Sequence, residues 1–284
     1  MLKHQRLKRW IIGDFSVKRL IRSALAIYAV VCVYAWGFSD RQIFLPPPSS
    51  YSDHPGIIKL ASAPEVQISA TYLPNPQADY TLLYSHGNAE DLGQIQPVLV
   101  YLRSLGFSVF AYDYRRYGTS QGTPTEQGVY ADITAAYRYL TEALNIPSNR
   151  IIAHGRSIGS GPAVELASRY RVGGVILENP LTSAFRVVTR IPILPFDKFN
   201  NLQKISQIRS PIAILHGTED RTIPFSHGQQ LYAAANEPKF FIPIEGGEHN
   251  DLMGEQYDRA IQDFRRYLSD RANLVSGRPL SGRI

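Results

Sequence analysis

The chain has 284 residues, 44% hydrophobic and 19% charged, which is enough apolar material for one large domain with an appendage and too much for a disordered chain. Its formal charge of +6 would suit a nucleic-acid surface if spread over the fold. Lys3, Arg6, Lys8, Arg9, Lys18, Arg19 and Arg22 against Asp14 account for the whole excess, so no nucleic-acid partner is expected. The single cysteine, Cys32, excludes an intramolecular disulfide and a cysteine-based zinc site.

The basic stretch 1–22 leads into 23–38, which carries no charge and is closed by Ser39-Asp40-Arg41. As a helix this segment measures about 24 Å against a hydrocarbon core of ~30 Å. Snorkelling of Arg22 brings Leu20 and Ile21 into the span, and Tyr34 and Trp36 suit the far interface. A basic flank before the span predicts a cytoplasmic tail at 1–22, a transmembrane anchor at 23–38 and a body on the opposite side of the membrane. The rival is a cleaved signal peptide, because Ala35-Trp36-Gly37 resembles a small-x-small cleavage site. Residues 39–56, with Pro46-Pro47-Pro48-Ser49-Ser50, read as a stiff linker.

From 57 to 270 short β-rich runs alternate with helix-length stretches. Strands are expected at 65–72, 80–85, 107–112, 149–154, 174–177, 212–215 and 239–244, and helices at 92–105, 128–144, 160–170, 226–235 and 256–268. This alternation predicts an α/β domain with a mostly parallel central sheet flanked by helices. Residues 271–284 read as a flexible tail. Ligands of such sheets meet the carboxyl ends of the strands, and His86, Asp113, Ser157, Glu178, Asp220 and His249 all follow strand ends.

Ser157 lies at the centre of Gly155-Arg156-Ser157-Ile158-Gly159, between a strand and a helix. A turn there is too tight for flanking side chains and lifts the hydroxyl above the sheet as a nucleophile. Serine needs a base, and the base needs a carboxylate to hold its tautomer. His249, in a loop between the last strand and the last helix, is the candidate base; His86 and His216 fit structural roles better. Asp220 is the candidate acid, with Glu178 as the alternative, while Asp113 and Asp251 suit loop amides and Glu219 suits solvent. The backbone N–H groups of Asn88 and Ile158 are the candidate oxyanion donors. No metal or organic cofactor is called for. An apolar insertion between Glu178 and Ile212 suggests a short lid, with Phe185, Val188, Ile191 and Phe196 as candidate acyl-pocket residues; simple packing against the sheet explains them equally well.

Longer matches join these residues. The runs Tyr84-Ser85-His86-Gly87-Asn88-Ala89-Glu90-Asp91-Leu92-Gly93, Tyr112-Asp113-Tyr114, Ser157-Ile158-Gly159, His216-Gly217-Thr218-Glu219-Asp220, Phe225-Ser226-His227-Gly228 and Gly247-Glu248-His249-Asn250-Asp251 resemble the alpha/beta hydrolase domain-containing protein 17 group, protein depalmitoylases of the α/β-hydrolase fold. The resemblance implies that fold over roughly 81–270, with nucleophile, acid and base at Ser157, Asp220 and His249. It also implies hydrolysis of a long-chain acyl thioester on protein cysteine. Two features depart from the group: Arg156 stands where glutamine is usual, and the N-terminus has a basic stretch and an apolar run instead of a cysteine cluster, which points to a bacterial-type relative. The expected activity is a membrane-anchored serine hydrolase of acyl esters or thioesters, on a lipid or an acylated protein. An aminopeptidase-like amidase and a non-catalytic membrane-tethered binding protein are the alternatives.

Overall fold

The computed structural model describes residues 16–276; His4, the basic residues Lys3 to Arg9, Asp14 and the tail from 277 lie outside the described residues. Two compact units divide at Gln42. The first is helix α1 (Val17–Ile43), 27 residues with an apolar stretch of mean hydropathy 1.6 and none of it buried. At about 1.5 Å per residue it measures roughly 40 Å, long enough to cross a membrane. It overruns the expected span 23–38 at both ends. Lys18, Arg19, Arg22 and Arg41 are good helix formers with long stems, so charge does not stop the helix where apolarity stops.

The second unit holds the sheet. Its strands are β1 (Ile58–Ala63), β2 (Val66–Leu73), β3 (Thr81–Ser85), β4 (Ser108–Tyr112), β5 (Ile151–Arg156), β6 (Gly174–Glu178), β7 (Ile212–Gly217) and β8 (Lys239–Ile244), in the order β1-β2-β4-β3-β5-β6-β7-β8. The pairings of β2 with β1 and β4 are antiparallel and all others are parallel. Helices α2 (Gln96–Ser104), α3 (Glu126–Arg138), α4 (Ser160–Arg169), α5 (Ala184–Thr189), α6 (Asn201–Lys204), α7 (Ser226–Ala234) and α8 (Glu255–Ser276) complete the unit. This is the α/β-hydrolase fold.

Both faces of the sheet are covered, so its central strands read as unbroken apolar runs. Leu83, Phe110, Ala153, Leu177 and Ile214 face one core with Ile133 of α3 and Val164 of α4. Leu82, Val109, Ile152, Ile176 and Ala213 face the other, with Leu99 of α2 and Tyr257, Ile261, Phe264 and Leu268 of α8. The α8 residues recur at helical spacing, and the helix continues past 270 into the stretch expected to be a flexible tail. The predicted helix from 92 starts at Gln96, because Asp91 Oδ1 accepts the Gln94 amide at 3.1 Å and closes a turn first, and proline stands in the first helical turn. Strand β1 is additional to the expected set.

Residues 39–56 do not form a free linker. Those up to Ile43 finish α1, and 44–51 form a strap packed on the body. Phe44 is buried, and the Leu45 amide donates to Asn88 Oδ1 at 3.1 Å and Tyr117 Oη at 3.0 Å. The Ser50 amide donates to Asp91 Oδ2 at 2.7 Å, and the Tyr51 hydroxyl to Asp113 Oδ2 at 2.5 Å. The prolines hold this strap extended between its contacts.

Buried Asp132 of α3 fixes the loop after β4. It accepts the Arg115 amide at 2.9 Å, the Arg115 guanidinium at 2.9 Å and the Ser62 hydroxyl. Replacing Asp132 by alanine strands a largely buried guanidinium, so unfolding in urea should show a loss of about 3–5 kcal/mol. A loss below about 1 kcal/mol contradicts the burial argument.

Candidate active site

β5 ends at Arg156, and the chain reverses at Ser157, whose φ of 55° places a non-glycine residue in the left-handed region. Such a conformation costs about 1–3 kcal/mol and persists only where the surroundings enforce it. They do so here by contact. A Cβ on Gly159 would lie 2.1 Å from the Ser85 carbonyl oxygen, and one on Gly155 would lie 2.3 Å from the Gly159 carbonyl oxygen. Only glycine on both sides lets β5 turn this closely against β3 into the short turn Ser157–Gly159 and then α4.

Ser157 Oγ lies 2.9 Å from His249 Nε2, and His249 Nδ1 lies 2.7 Å from Asp220 Oδ2. A carboxylate only accepts, so in the neutral ring Nδ1 carries the hydrogen and Nε2 is left to accept from the serine hydroxyl. Asp220 Oδ1 accepts the amides of Thr222 and Ile223, each at 2.8 Å. Burial by itself raises the Asp220 pKa; the neighbouring His216 ring, the His249 hydrogen bond and the Ile223 amide more than offset it and hold the carboxyl well below the usual carboxylate range. His216 donates Nε2–H to the Ile223 carbonyl at 2.9 Å and sits 3.6 Å from Asp220, so it acts on the acid mainly as a nearby dipole.

Asp220 and His249 meet because their loops are knitted together. The Thr218 amide donates to the Ile244 carbonyl at 3.0 Å, the Glu219 amide to the Gly247 carbonyl at 3.0 Å and the Gly246 amide to Thr218 Oγ1 at 3.0 Å. Asn179, directly after β6, anchors both. Its Oδ1 accepts the Gly217 amide at 2.9 Å, and its Nδ2 donates to the carbonyls of Glu248 and His249 at 3.2 and 3.0 Å. The sequence reading overlooked Asn179, although a polar residue closing an apolar strand beside Glu178 was the available signal.

Glu178, the alternative acid, is turned elsewhere. It accepts from His154 Nε2 at 2.6 Å and from the Tyr257 hydroxyl. Burial opposes its charge, but His154, Tyr257 and Arg156 lower its pKa overall. Asp113 accepts the Leu92 amide at 3.0 Å and Asp251 the Glu248 amide at 2.6 Å, while Glu219 is exposed.

The loop of Asn88 abuts Ser157: a Cβ on Gly87 would lie 3.9 Å from Ser157 Cβ. The Gly87 amide is already donated to Glu90 Oε1 at 2.6 Å. The Asn88 side chain holds the strap, with Oδ1 accepting from Leu45 and from Tyr117 Oη at 2.6 Å and Nδ2 donating to the Ile43 carbonyl at 2.5 Å. What Asn88 can offer a ligand is its main chain. Ile158, next to the serine, is buried.

In the insertion, Phe185, Ile191 and Phe196 line a cavity of about 220 Å³, with Phe185 and Phe196 ring centroids 6.0 Å apart. Ser157, Asp220 and His249 contribute nothing to its wall, and Val188 stands outside it, 82% exposed. Among the described residues no group of three or more His, Cys, Asp or Glu side chains is placed to hold a metal ion.

The depressed Asp220 pKa has a consequence for stability. The fold favours the ionised carboxyl, so its stabilisation is complete above the unfolded value near pH 4 and is lost as pH falls toward the folded one. Urea unfolding of wild type and Asp220→Asn should therefore give stabilities that converge as pH drops from about 6 to about 3. A difference that stays constant over that range removes the carboxylate from this role.

Residues 76–202 match the family model described as serine aminopeptidase, S33. Over 198 residues the chain is 44% identical to alpha/beta hydrolase domain-containing protein 17B of Homo sapiens, covering 69% of this chain and 68% of that protein. With protein 17C of Mus musculus it shares 42% identity over 198 residues, covering 68% of this chain and 61% of that protein. An esterase from Pyrococcus furiosus superposes with a TM-score of 0.67 at 18% identity, covering 80% of this chain and 98% of that one. Sheet order, the serine turn and these identities place the chain in the alpha/beta hydrolase domain-containing protein 17 family of α/β-hydrolases.

Proposed function

We propose that the protein is a membrane-anchored serine hydrolase that cleaves acyl esters or thioesters through an acyl-enzyme on Ser157. The observation that carries this reading is the unbroken hydrogen-bonded chain from Ser157 Oγ through His249 to Asp220. His249 Nε2 takes the hydroxyl proton as Oγ attacks the acyl carbonyl, and Asp220 stabilises the imidazolium that forms. The backbone amides of Asn88 and Ile158 receive the oxyanion. The tetrahedral adduct collapses, His249 returns the proton to the departing alcohol or thiol, and an acyl ester remains on Ser157. Water, deprotonated by the same imidazole, then releases the carboxylic acid and restores the serine.

Anchoring is assigned to α1, with the basic segment 1–22 on the cytoplasmic side and the hydrolase body across the membrane. The family resemblance makes a long-chain acyl thioester on a protein the first substrate class to try, with an acyl lipid beside it. Amide cleavage at an amino terminus, suggested by the name of the matching family model, needs an acidic partner for the substrate amine. Glu178 is committed to His154 and Tyr257, which removes one acidic candidate, while exposed Glu219 keeps amide cleavage as the second reading.

The wild-type protein should react with a fluorophosphonate probe and turn over an acyl thioester and a carboxylester faster than an aminoacyl amide. Ser157→Ala should abolish labelling and lower kcat by on the order of 10⁶-fold, and Asp220→Asn by on the order of 10³- to 10⁴-fold. Folded wild type that takes up no probe defeats the serine-hydrolase reading; preference for the amide replaces it with the peptidase one. Mass spectrometry of the mature chain should find residues before Phe38 retained, and a start near Phe38 turns the anchor into a cleaved leader.

A further inference from the structure

We infer that Arg156 is a positioning residue whose single guanidinium clamps the loop of the oxyanion amide to the loop of the base. The inference rests on the serine-hydrolase reading. Arg156 Nη1 donates to Glu90 Oε1 and Oε2 at 3.2 and 3.1 Å, and Nη2 donates to Asn250 Oδ1 at 2.7 Å. Glu90 passes the constraint on, because its Oε1 also accepts the Gly87 amide at 2.6 Å, one residue from Asn88. Asn250 follows His249 directly, and Arg156 precedes Ser157 directly. Three loops far apart in sequence, each carrying one proposed part of the reaction, are thus joined at one cation.

The chemistry of the joint suits arginine. Its planar fork presents separate N–H groups at fixed angles to two acceptors, which a lysine ammonium on a flexible stem does not reproduce. The ion pair is mostly shielded, with 16% of the Arg156 and 21% of the Glu90 side chain exposed, so it is stiffer and less salt-screened than a surface pair. Burial opposes the Arg156 charge, but Tyr84, Glu90 and Glu178 outweigh it and raise the pKa, so the guanidinium stays charged at every working pH.

The test measures steady-state hydrolysis of a p-nitrophenyl acyl ester, the rate of fluorophosphonate labelling and thermal unfolding. The full chain is compared with Arg156→Ala, Arg156→Lys, Asn250→Ala and the Arg156→Ala/Asn250→Ala double variant. Arg156→Ala should lower kcat and the labelling rate by about 10- to 100-fold, the scale of a small misplacement at a reacting centre, with KM changed less than about threefold. Arg156→Lys should recover only part, holding one loop and not both. Asn250→Ala should lower kcat by less and add almost nothing on top of Arg156→Ala, because both remove the same link. Asn250 is exposed, so its variant keeps the fold and carries the test if Arg156→Ala does not fold. An active, labelled wild type with Arg156→Ala or Asn250→Ala variants within about twofold in kcat, or with effects that multiply in the double variant, overturns the clamp alone. A wild type that neither labels nor hydrolyses overturns the serine-hydrolase reading and the clamp with it.

Discussion

Parallel pairing of β3, β5, β6 and β7 brings their carboxyl ends to one rim of the sheet, and the polar groups these strands deliver depend on that register. Ser85 pairs with Gly155, Arg156 with Glu178, and Glu178 with Leu215. β3, β5 and β6 leave the sheet at the next residue and β7 after Gly217, and each exit delivers a different group: His86, Ser157, Asn179 or, after a short loop, Asp220. A slip of one residue in any strand would invert its side chains between the two cores and pull its exit residue about 3.3 Å out of line. The two apolar cores therefore determine where the serine, the imidazole and the carboxylate meet.

A second polar layer lies at the strand ends, beneath the exit loops. His154, Glu178 and Tyr257 form one buried group, and His86, Asp113 and Tyr51 form another. Groups of this kind contribute little net stability when they are satisfied, and their loss is expensive because the remaining partner stays buried. That asymmetry gives them geometric value. Glu178 fixes β6 to α8, and Asp113 ties the strap at Tyr51 to the loop at Leu92, so the exits above them have few alternative conformations.

Much of this architecture was legible in the sequence because strands covered on both faces have no polar alternation to blur them. The runs around Leu82, Val109, Ile152 and Ile176 announce themselves, and the serine turn carries its own steric signature in Gly155 and Gly159. β1 was illegible for the opposite reason. At the sheet edge only Leu60 of its residues is buried, and Lys59 points to Ser69 and Thr119, so its pattern resembles a loop. The strap at 44–51 was hidden by its composition: proline and serine suggest a spacer, and only the distant partners Asn88, Asp91 and Asp113 turn it into packed structure. Long-range side-chain contacts explain the other omissions too. Nothing local to Asn179 or Arg156 tells which carbonyl or carboxylate another loop will bring to it.

The strap at 44–51 also bears on the loop that follows β3. Asn88 belongs to the loop proposed to receive the oxyanion, yet its side chain is spent on residues 43–45, Tyr117 and the next amide, that of Ala89. Two residues further on, Glu90 reaches Arg156, and Asp91 accepts both the amide and the hydroxyl of Ser50. The loop is therefore held from one side by the strap and from the other by the guanidinium next to the serine. A short loop with three side chains bonded outward has little freedom left in its backbone, and a fixed backbone amide is what oxyanion binding requires, since a donor that must reorganise during reaction forfeits much of its effect. The prolines before Ser50 thereby help to keep the loop proposed to receive the oxyanion in shape.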